Sequence, residues 1–447
     1  MKRPVTILEA AVAQGQISAC ELLEQCLSNI ERFDPQVRAW VMVDAAAARE
    51  TARRLDEELA QGRCRGPLHG APIGIKDIID VAGWPTKAGS RLREDHRAER
   101  DAEIVARLRN AGAIILGKTV TTEFASFDPP PTRNPWNLDR TPGGSSSGSA
   151  AAVATGMCLA AIGTQTGGSI TRPASFCGVA GCKPTWGRVS SSGIVPFSFH
   201  LDQAGPIARS VADLAIIVQA IAGYDPNDPV CLNAPLGDDL SLPLAQPPKV
   251  GVLEEYFFET ASEEVRKVAW QAVERLRAAG VQIETVALPK SFAEAHRGQR
   301  IVMAVDAAAY HRDNFPSRRE LYGPAISQVL DEGRAASVID YSAALASQFR
   351  FRREMLAALE GFDALLTPAA DRTAPGPETT GDPRFNSPWS YSGLPTVSIP
   401  CGLAEDKLPV ALQFIGRSFG EAGLLAAAAW CERILQFTDV PPLFDEN

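Results

Sequence analysis

The sequence predicts an α/β protein, one large α/β/α sandwich built around a mixed central β-sheet. Three observations carry that expectation. Short apolar runs and amphipathic helical patterns alternate along all 447 residues. A composition of 45% hydrophobic and 22% charged residues suits a soluble chain with a large core. The two linker-like stretches, about 224–247 and 371–388, are rich in Pro and Asp but too short to force a domain break.

The elements follow in order. Ser18 with Glu21 forms a capping box ahead of Leu22, Leu23, Cys26 and Ile30, which share one helical face. Asp44 opens a second, Ala-rich helix to about Ala60. Pro72 to Asp80 reads as a short buried strand entering a polar turn. Asp101 is expected to cap a helix through Arg109, with Gly112 as its stop and Ala113–Leu116 as the next strand. A helix from about Ser149 to Ala154 lies between two Gly/Ser-rich loops, around Ser145 and Ser169. Lys249–Leu253 and Val281–Val286 read as strands flanking a helix at Glu263–Ala279. Asp363–Thr367, Thr396–Pro400 and Pro409–Ile415 are further strands, and Glu421–Leu435 is a closing helix. No repeat of solenoid length is present.

Charge and cysteine usage exclude several classes. A net charge of −9 argues against nonspecific nucleic-acid binding, which depends on Lys and Arg neutralising phosphates. The nine cysteines are scattered without metal-ligand spacing, so neither a metal site nor a disulfide framework is expected, and Cys20, Cys26, Cys177 and Cys182 read as buried thiols. The N-terminus, Met1-Lys2-Arg3-Pro4, lacks an apolar leader core, and no apolar run is long enough to cross a bilayer. A cytoplasmic protein with no membrane contact is expected.

Two motif matches fail on context. Gly112-Ala-Ile-Ile-Leu-Gly117-Lys118-Thr119 fits the phosphate-binding expression GxxxxGK[ST], but its variable positions are those of a buried strand, and a helix precedes it. Gly144-Ser-Ser146-Ser-Gly148 fits the nucleophile-elbow pattern, but the preceding segment 134–142 is loop where a hydrophobic strand is needed. A Ser-His-Asp site would also need a downstream histidine, for which His200 is the best placed of His200, His296 and His311.

A different constellation is favoured, Lys76 with Ser145 and Ser169. No charged residue stands between Arg140 and Arg172, so both serine loops belong to a water-poor region. Lys76 lies among Ile73, Ile75, Ile78 and Ile79, where desolvation favours its neutral, basic form. Ser169 follows Thr166-Gly167-Gly168, and consecutive glycines let backbone N–H groups turn inward as an oxyanion hole requires.

These residues carry a resemblance. Gly143-Gly-Ser145-Ser-Ser-Gly-Ser, Gly163-Thr-Gln-Thr-Gly-Gly-Ser169-Ile and Cys177-Gly-Val-Ala-Gly-Cys-Lys-Pro-Thr185 are similar to the amidase signature family. Leu68-His-Gly-Ala-Pro-Ile-Gly-Ile-Lys76-Asp77, Asn134-Pro-Trp-Asn, Leu201-Asp-Gln-Ala-Gly-Pro206 and Ser392-Gly-Leu-Pro-Thr-Val-Ser-Ile-Pro400 extend it over nearly the whole chain. The resemblance implies one amidase domain over 1–447. Helices of about 1–62 would pack on a signature core of about 63–225, and the remainder would complete the sheet and substrate pocket.

It also implies Ser169 as nucleophile, Ser145 as a bridging serine at a cis peptide bond and Lys76 as base. The backbone N–H groups of Thr166, Gly167, Gly168 and Ser169 would form the oxyanion hole, with no metal or organic cofactor. The implied activity is hydrolysis of a carboxylic (primary) amide through an acyl-enzyme on Ser169, with a small-molecule amide as substrate. Phe124, Asp128, Gln165, Thr171, Arg172, Phe197, Trp389 and Tyr391 are the candidate substrate contacts.

One subgroup, the glutamine-hydrolysing subunit of tRNA-dependent amidotransferases, supplies ammonia to a partner and meets nucleic acid only through it. That subgroup carries Ser-Asp-Thr-Gly-Gly-Ser and an Arg two residues after the nucleophile. Here Gln165 and Thr171 stand at those positions, with the arginine displaced to Arg172, and Pro383-Arg384 precede Phe385 where the glutamine-binding acid is expected. A stand-alone amidase is therefore favoured. Two alternatives stay open, a hydrolase of carbamoyl or urea-type substrates and the transamidating subunit, and so does a homodimer.

Overall fold

In the computed structural model, residues 6–12, 16–236, 240 and 243–444 are described. Eleven strands form one mixed sheet. They are β1 (Trp40–Val43), β2 (Pro72–Lys76), β3 (Ile114–Thr119), β4 (Ala160–Gln165), β5 (Ala180–Lys183), β6 (Gln203–Ala208), β7 (Lys249–Val252), β8 (Gln282–Thr285), β9 (Ala364–Pro368), β10 (Thr396–Leu403) and β11 (Pro409–Ile415). Their order is β1-β3-β2-β4-β6-β5-β10-β11-β9-β7-β8. Toward the edges β2 is parallel to β3 and β4, and β7 to β8 and β9, whereas the middle from β4 to β9 is antiparallel.

Helices cover both faces. In chain order they are α1 (Ile7–Val12), α2 (Ala19–Val37), α3 (Ala45–Ala60), α4 (Glu103–Asn110), α5 (Ser147–Ala154), α6 (Thr171–Phe176), α7 (Val211–Ile221), α8 (Glu263–Ala278), α9 (Phe292–Tyr310), α10 (Pro324–Ala335), α11 (Val338–Ala358), α12 (Ser387–Ser392) and α13 (Glu421–Leu435). Helices α7, α8 and α13 pack together over the central strands, while α5 and α6 pack together against the same strands. This is the α/β/α layering that the sequence predicts.

Local chemistry accounts for several boundaries. The Ser18–Glu21 capping box starts α2, and the Asp44 carboxylate accepts from Ala47 N–H to start α3. Gly112 ends the α4 segment with φ +89°, a conformation that favours glycine. Asp101 departs from expectation. Ala102 is the cap residue of α4 and gives no side-chain bond; Asp101 instead accepts from Ala82 N–H at 2.8 Å and pairs with Arg109 at 2.9 Å. The strand after Gly112 runs through Gly117-Lys118-Thr119, so the phosphate-loop match is β3 itself. Lys118 is buried and paired with Asp77 at 2.9 Å.

Strands β1, β4, β5 and β6 and helices α6, α7, α9, α10, α11 and α12 are not among the expected elements. Ala160-Ala-Ile-Gly-Thr-Gln165 is buried at every position, so it shows none of the alternation that marks a half-exposed strand. All nine cysteines are free thiols; Cys20 is partly buried, Cys64 exposed and the rest buried. Among the described residues no helix is long and apolar enough to cross a membrane.

Candidate active site

Lys76 ends β2 and is completely buried. Its Nζ stands 2.7 Å from Ser145 Oγ and 2.8 Å from Thr164 Oγ1 on the neighbouring strand β4. Burial drives the Lys76 pKa well below its ordinary value, opposed by the negative charge of Asp202. Burial thus favours the neutral amine, the form able to accept a hydroxyl proton.

Ser145 precedes α5 in a loop fixed from several sides. The Gly144–Ser145 peptide bond is cis. Arg172 Nη2 donates to the Gly144 carbonyl at 2.8 Å, the Ser147 hydroxyl to the Gly143 carbonyl at 2.6 Å, and Thr122 N–H to the Ser145 carbonyl at 3.3 Å. Arg172 is buried, and desolvation lowers its pKa to about 10.

Ser169 lies in the turn between β4 and α6 and is 8% exposed. Ser146 N–H donates to the Ser169 carbonyl at 3.3 Å, and the Ser146 hydroxyl lies 3.3 Å from Thr164 backbone atoms, so the two serine loops are stitched together. The Ser169 hydroxyl makes no hydrogen bond to any described residue, and the Ser145–Ser169 link is not closed in this conformation. The N–H groups of Gly167, Gly168 and Ser169 likewise donate to no described residue. Gly168 has no room for a side chain, since a Cβ there would fall 2.6 Å from Asn386 Oδ1.

Beside Thr164 and Thr166 opens a cavity. Its wall is largely apolar, including Ile78, Val189, Ile194, Val195, Phe197 and Phe199. Asp202 is the one charged residue in its described lining. Thr166 Oγ1 donates to Asp202 at 2.5 Å, and the N–H groups of Phe197 and Ser198 donate at 2.7 and 3.0 Å. Burial nevertheless raises the Asp202 pKa to about 6.

A family model named Amidase matches residues 21–425. The chain belongs to the amidase family. It is 39% identical to a glutamyl-tRNA(Gln) amidotransferase subunit of Roseiflexus castenholzii, over 98% of this chain and 96% of that one. It is 36% identical to a putative amidase, AmiD, of Mycobacterium bovis, over 95% and 93%. Among solved structures, the native peptide amidase of Stenotrophomonas maltophilia matches with TM-score 0.84 and 32% identity, covering 98% of each chain. This amidase is an amide-cleaving hydrolase.

The other anticipated residues distribute unevenly. Phe197 lines the cavity. Phe124 is buried one residue from the cavity residue Ala125, its ring 4.5 Å from His311 and 5.9 Å from Tyr322. Gln165 and Thr171 face each other inside the turn that carries Ser169: Gln165 Oε1 accepts from Ile170 N–H, Thr171 N–H and Thr171 Oγ1 at 2.8, 3.0 and 3.2 Å. Arg172 braces the Gly144 carbonyl instead of facing the cavity.

Asp128 lies off the cavity wall, because its carboxylate accepts from Ala325 and Ile326 N–H and caps α10. Trp389 and Tyr391 are core residues of the amidase: Trp389 stacks on Phe257 at 5.4 Å, and the Tyr391 hydroxyl donates to the Ala344 carbonyl. The half-exposed His200 pairs with Asp306 at 3.0 Å and bonds neither serine, which removes the Ser-His-Asp alternative. Sequence reasoning missed Thr164, Ser390 and Gln299. Asp202 belongs to the Leu201–Pro206 motif, which by itself suggests no role for its carboxylate.

Proposed function

We propose that this amidase hydrolyses neutral, apolar carboxylic amides through a Lys76–Ser145–Ser169 relay. The observation that carries the proposal is the 2.7 Å contact between the buried Lys76 amine and Ser145 Oγ. Neutral Lys76 takes the Ser145 proton while Ser145 takes that of Ser169, whose oxygen attacks the amide carbon. The Ser145–Ser169 link closes when substrate draws the Ser169 hydroxyl inward, as catalytic hydrogen bonds often tighten only in the complex. The tetrahedral oxyanion accepts from backbone N–H groups of 166–169. As the intermediate collapses, the C–N bond breaks and Ser145, reprotonated by Lys76, hands its proton to the leaving nitrogen. Water then attacks the acyl-enzyme through the reversed relay, releasing the acid and restoring Ser169. Lys76, Ser145 and Ser169 suffice for the proton transfers.

The cavity beside Thr164 and Thr166 supports this substrate class. An apolar wall with Asp202 as its charged group suits an aliphatic or aromatic acyl part. Among the described lining residues no cation would meet a glutamine α-carboxylate, which would face a like charge at neutral pH. The test is ammonia release from hexanamide, benzamide, glutamine and an N-carbamoyl amino acid, by wild type and Ser169→Ala. We expect release from the first two by wild type alone. Full activity in Ser169→Ala rules out the assigned nucleophile.

A second reading rests on the 39% identity to a glutamyl-tRNA(Gln) amidotransferase subunit. In that case the chain supplies ammonia to a partner protein, and glutamine is the preferred amide. Preference for the N-carbamoyl compound instead points to carbamoyl or urea-type substrates.

A further inference from the structure

Outside the sequence motifs that mark the site, α9 sends one amide side chain to the turn that carries Ser169. Gln299 is 5% exposed, and its Nε2 donates to the Thr166 carbonyl at 3.2 Å. One peptide further on, the Ser390 hydroxyl of α12 donates to the Gly167 carbonyl at 2.8 Å. Gln165 Nε2 donates to Ser390 Oγ at 3.2 Å. The Gly168 carbonyl accepts from Arg172 N–H at 3.0 Å. Three successive carbonyls are thus tethered.

In a planar trans peptide the N–H points opposite to the C=O of the same unit. The tethers therefore direct the N–H groups of Gly167, Gly168 and Ser169 away from Gln299, Ser390 and the first turn of α6. These three N–H groups donate to no described residue. A buried N–H without an acceptor is costly, and three in a row mark a place where an acceptor arrives. Glycines at 167 and 168 supply no stiffness of their own, so the direction of these groups must be imposed from outside.

We infer that Gln299, together with Ser390, is a positioning residue that locks these peptide planes before substrate binds. The inference rests on Ser169 being the nucleophile. Gln299 touches neither serine of the relay; it acts through the Thr166–Gly167 peptide, whose N–H is aimed at the developing negative charge.

The test compares Gln299→Leu and Ser390→Ala with wild type, using hexanamide as substrate. Hexanal and hexanol serve as inhibitors. Ser169 adds to hexanal to form a hemiacetal whose oxygen sits where the oxyanion forms, whereas hexanol measures cavity binding alone. We expect kcat to fall about 10- to 100-fold with KM unchanged, because small displacements of preorganised groups are felt mainly in the transition state. Hexanal affinity should fall in step and hexanol affinity stay constant. Unchanged kcat overturns the inference, and so does an equal weakening of hexanal and hexanol. If Gln299→Leu fails to fold, Gln299→Met, unbranched like glutamine, provides the same comparison. Ser169→Ala is run alongside. Hexanamide hydrolysis by that variant, or none by wild type, refutes the relay or the apolar-substrate proposal instead, and the inference with it.

Discussion

Thr164→Val separates a working base from a merely buried lysine. Thr164 Oγ1 lies 2.8 Å from Lys76 Nζ, on the strand beside it, and both side chains are buried. Valine keeps the shape and removes the acceptor. Under the proposed relay, Lys76 rests neutral and donates an ordinary hydrogen bond to Thr164, of net value about 0.5–1.5 kcal/mol. In the transition state Lys76 has gained a proton, and the same contact becomes a bond from a cation, about 1.5–3 kcal/mol. Only the difference, about 1–1.5 kcal/mol, is lost selectively from the transition state. At 1.36 kcal/mol per decade that is about a 5- to 13-fold fall in kcat.

The same substitution also moves the pH profile, and the sign is fixed. Lys76 is active when neutral, so the rate falls as pH drops through its depressed pKa. Removing an acceptor disfavours the ammonium further and moves that acid limb to still lower pH. Steady-state rates on hexanamide across pH measure both effects. An acid limb that stays in place, or a kcat equal to wild type, refutes Lys76 as the base braced by Thr164.

Lys76→Met should lower hydrolysis about 10²- to 10⁴-fold, the usual weight of a positioned general base. Because the unfolded chain binds the Lys76 proton at pH values where the folded one does not, wild-type stability should rise with pH up to the unfolded value. The thermal midpoint of Lys76→Met relative to wild type should therefore increase as pH falls, and a pH-independent difference contradicts the buried neutral amine. Asp202→Asn should raise kcat/KM for anionic succinamate relative to neutral hexanamide about tenfold or more, since like charges in a desolvated pocket cost several kcal/mol. In wild type the discrimination against succinamate should fade as pH falls through about 6, where Asp202 takes up its proton. A ratio indifferent to both charge and pH removes Asp202 from substrate selection.

The site was more legible in the sequence than the sheet. Lys76 among isoleucines and two serines in glycine-rich loops announce themselves because low charge, small residues and hydroxyls seldom coincide by accident. The fold brings Lys76 and Ser145 into contact, and it leaves Ser169 a step away. Strand β4 was hidden because burial on both faces erases alternation, and Ala and Gly favour strands weakly. Asp128 and Arg172 were legible as charges near the motifs but not as a helix cap and a backbone brace, because those roles depend on distant partners at 325–326 and at Gly144. Gln299 carried no signal at all. A glutamine within a helix looks the same whether it faces water or a carbonyl 133 positions away in sequence.

The central claim is that Ser169 carries the acyl group. Mass analysis of enzyme quenched in acid while turning over p-nitrophenyl hexanoate, followed by peptide mapping, tests it most directly. A hexanoyl adduct is expected on the peptide containing Ser169, located on that residue and absent from Ser169→Ala. An adduct on Ser145, or one that persists in Ser169→Ala, contradicts it.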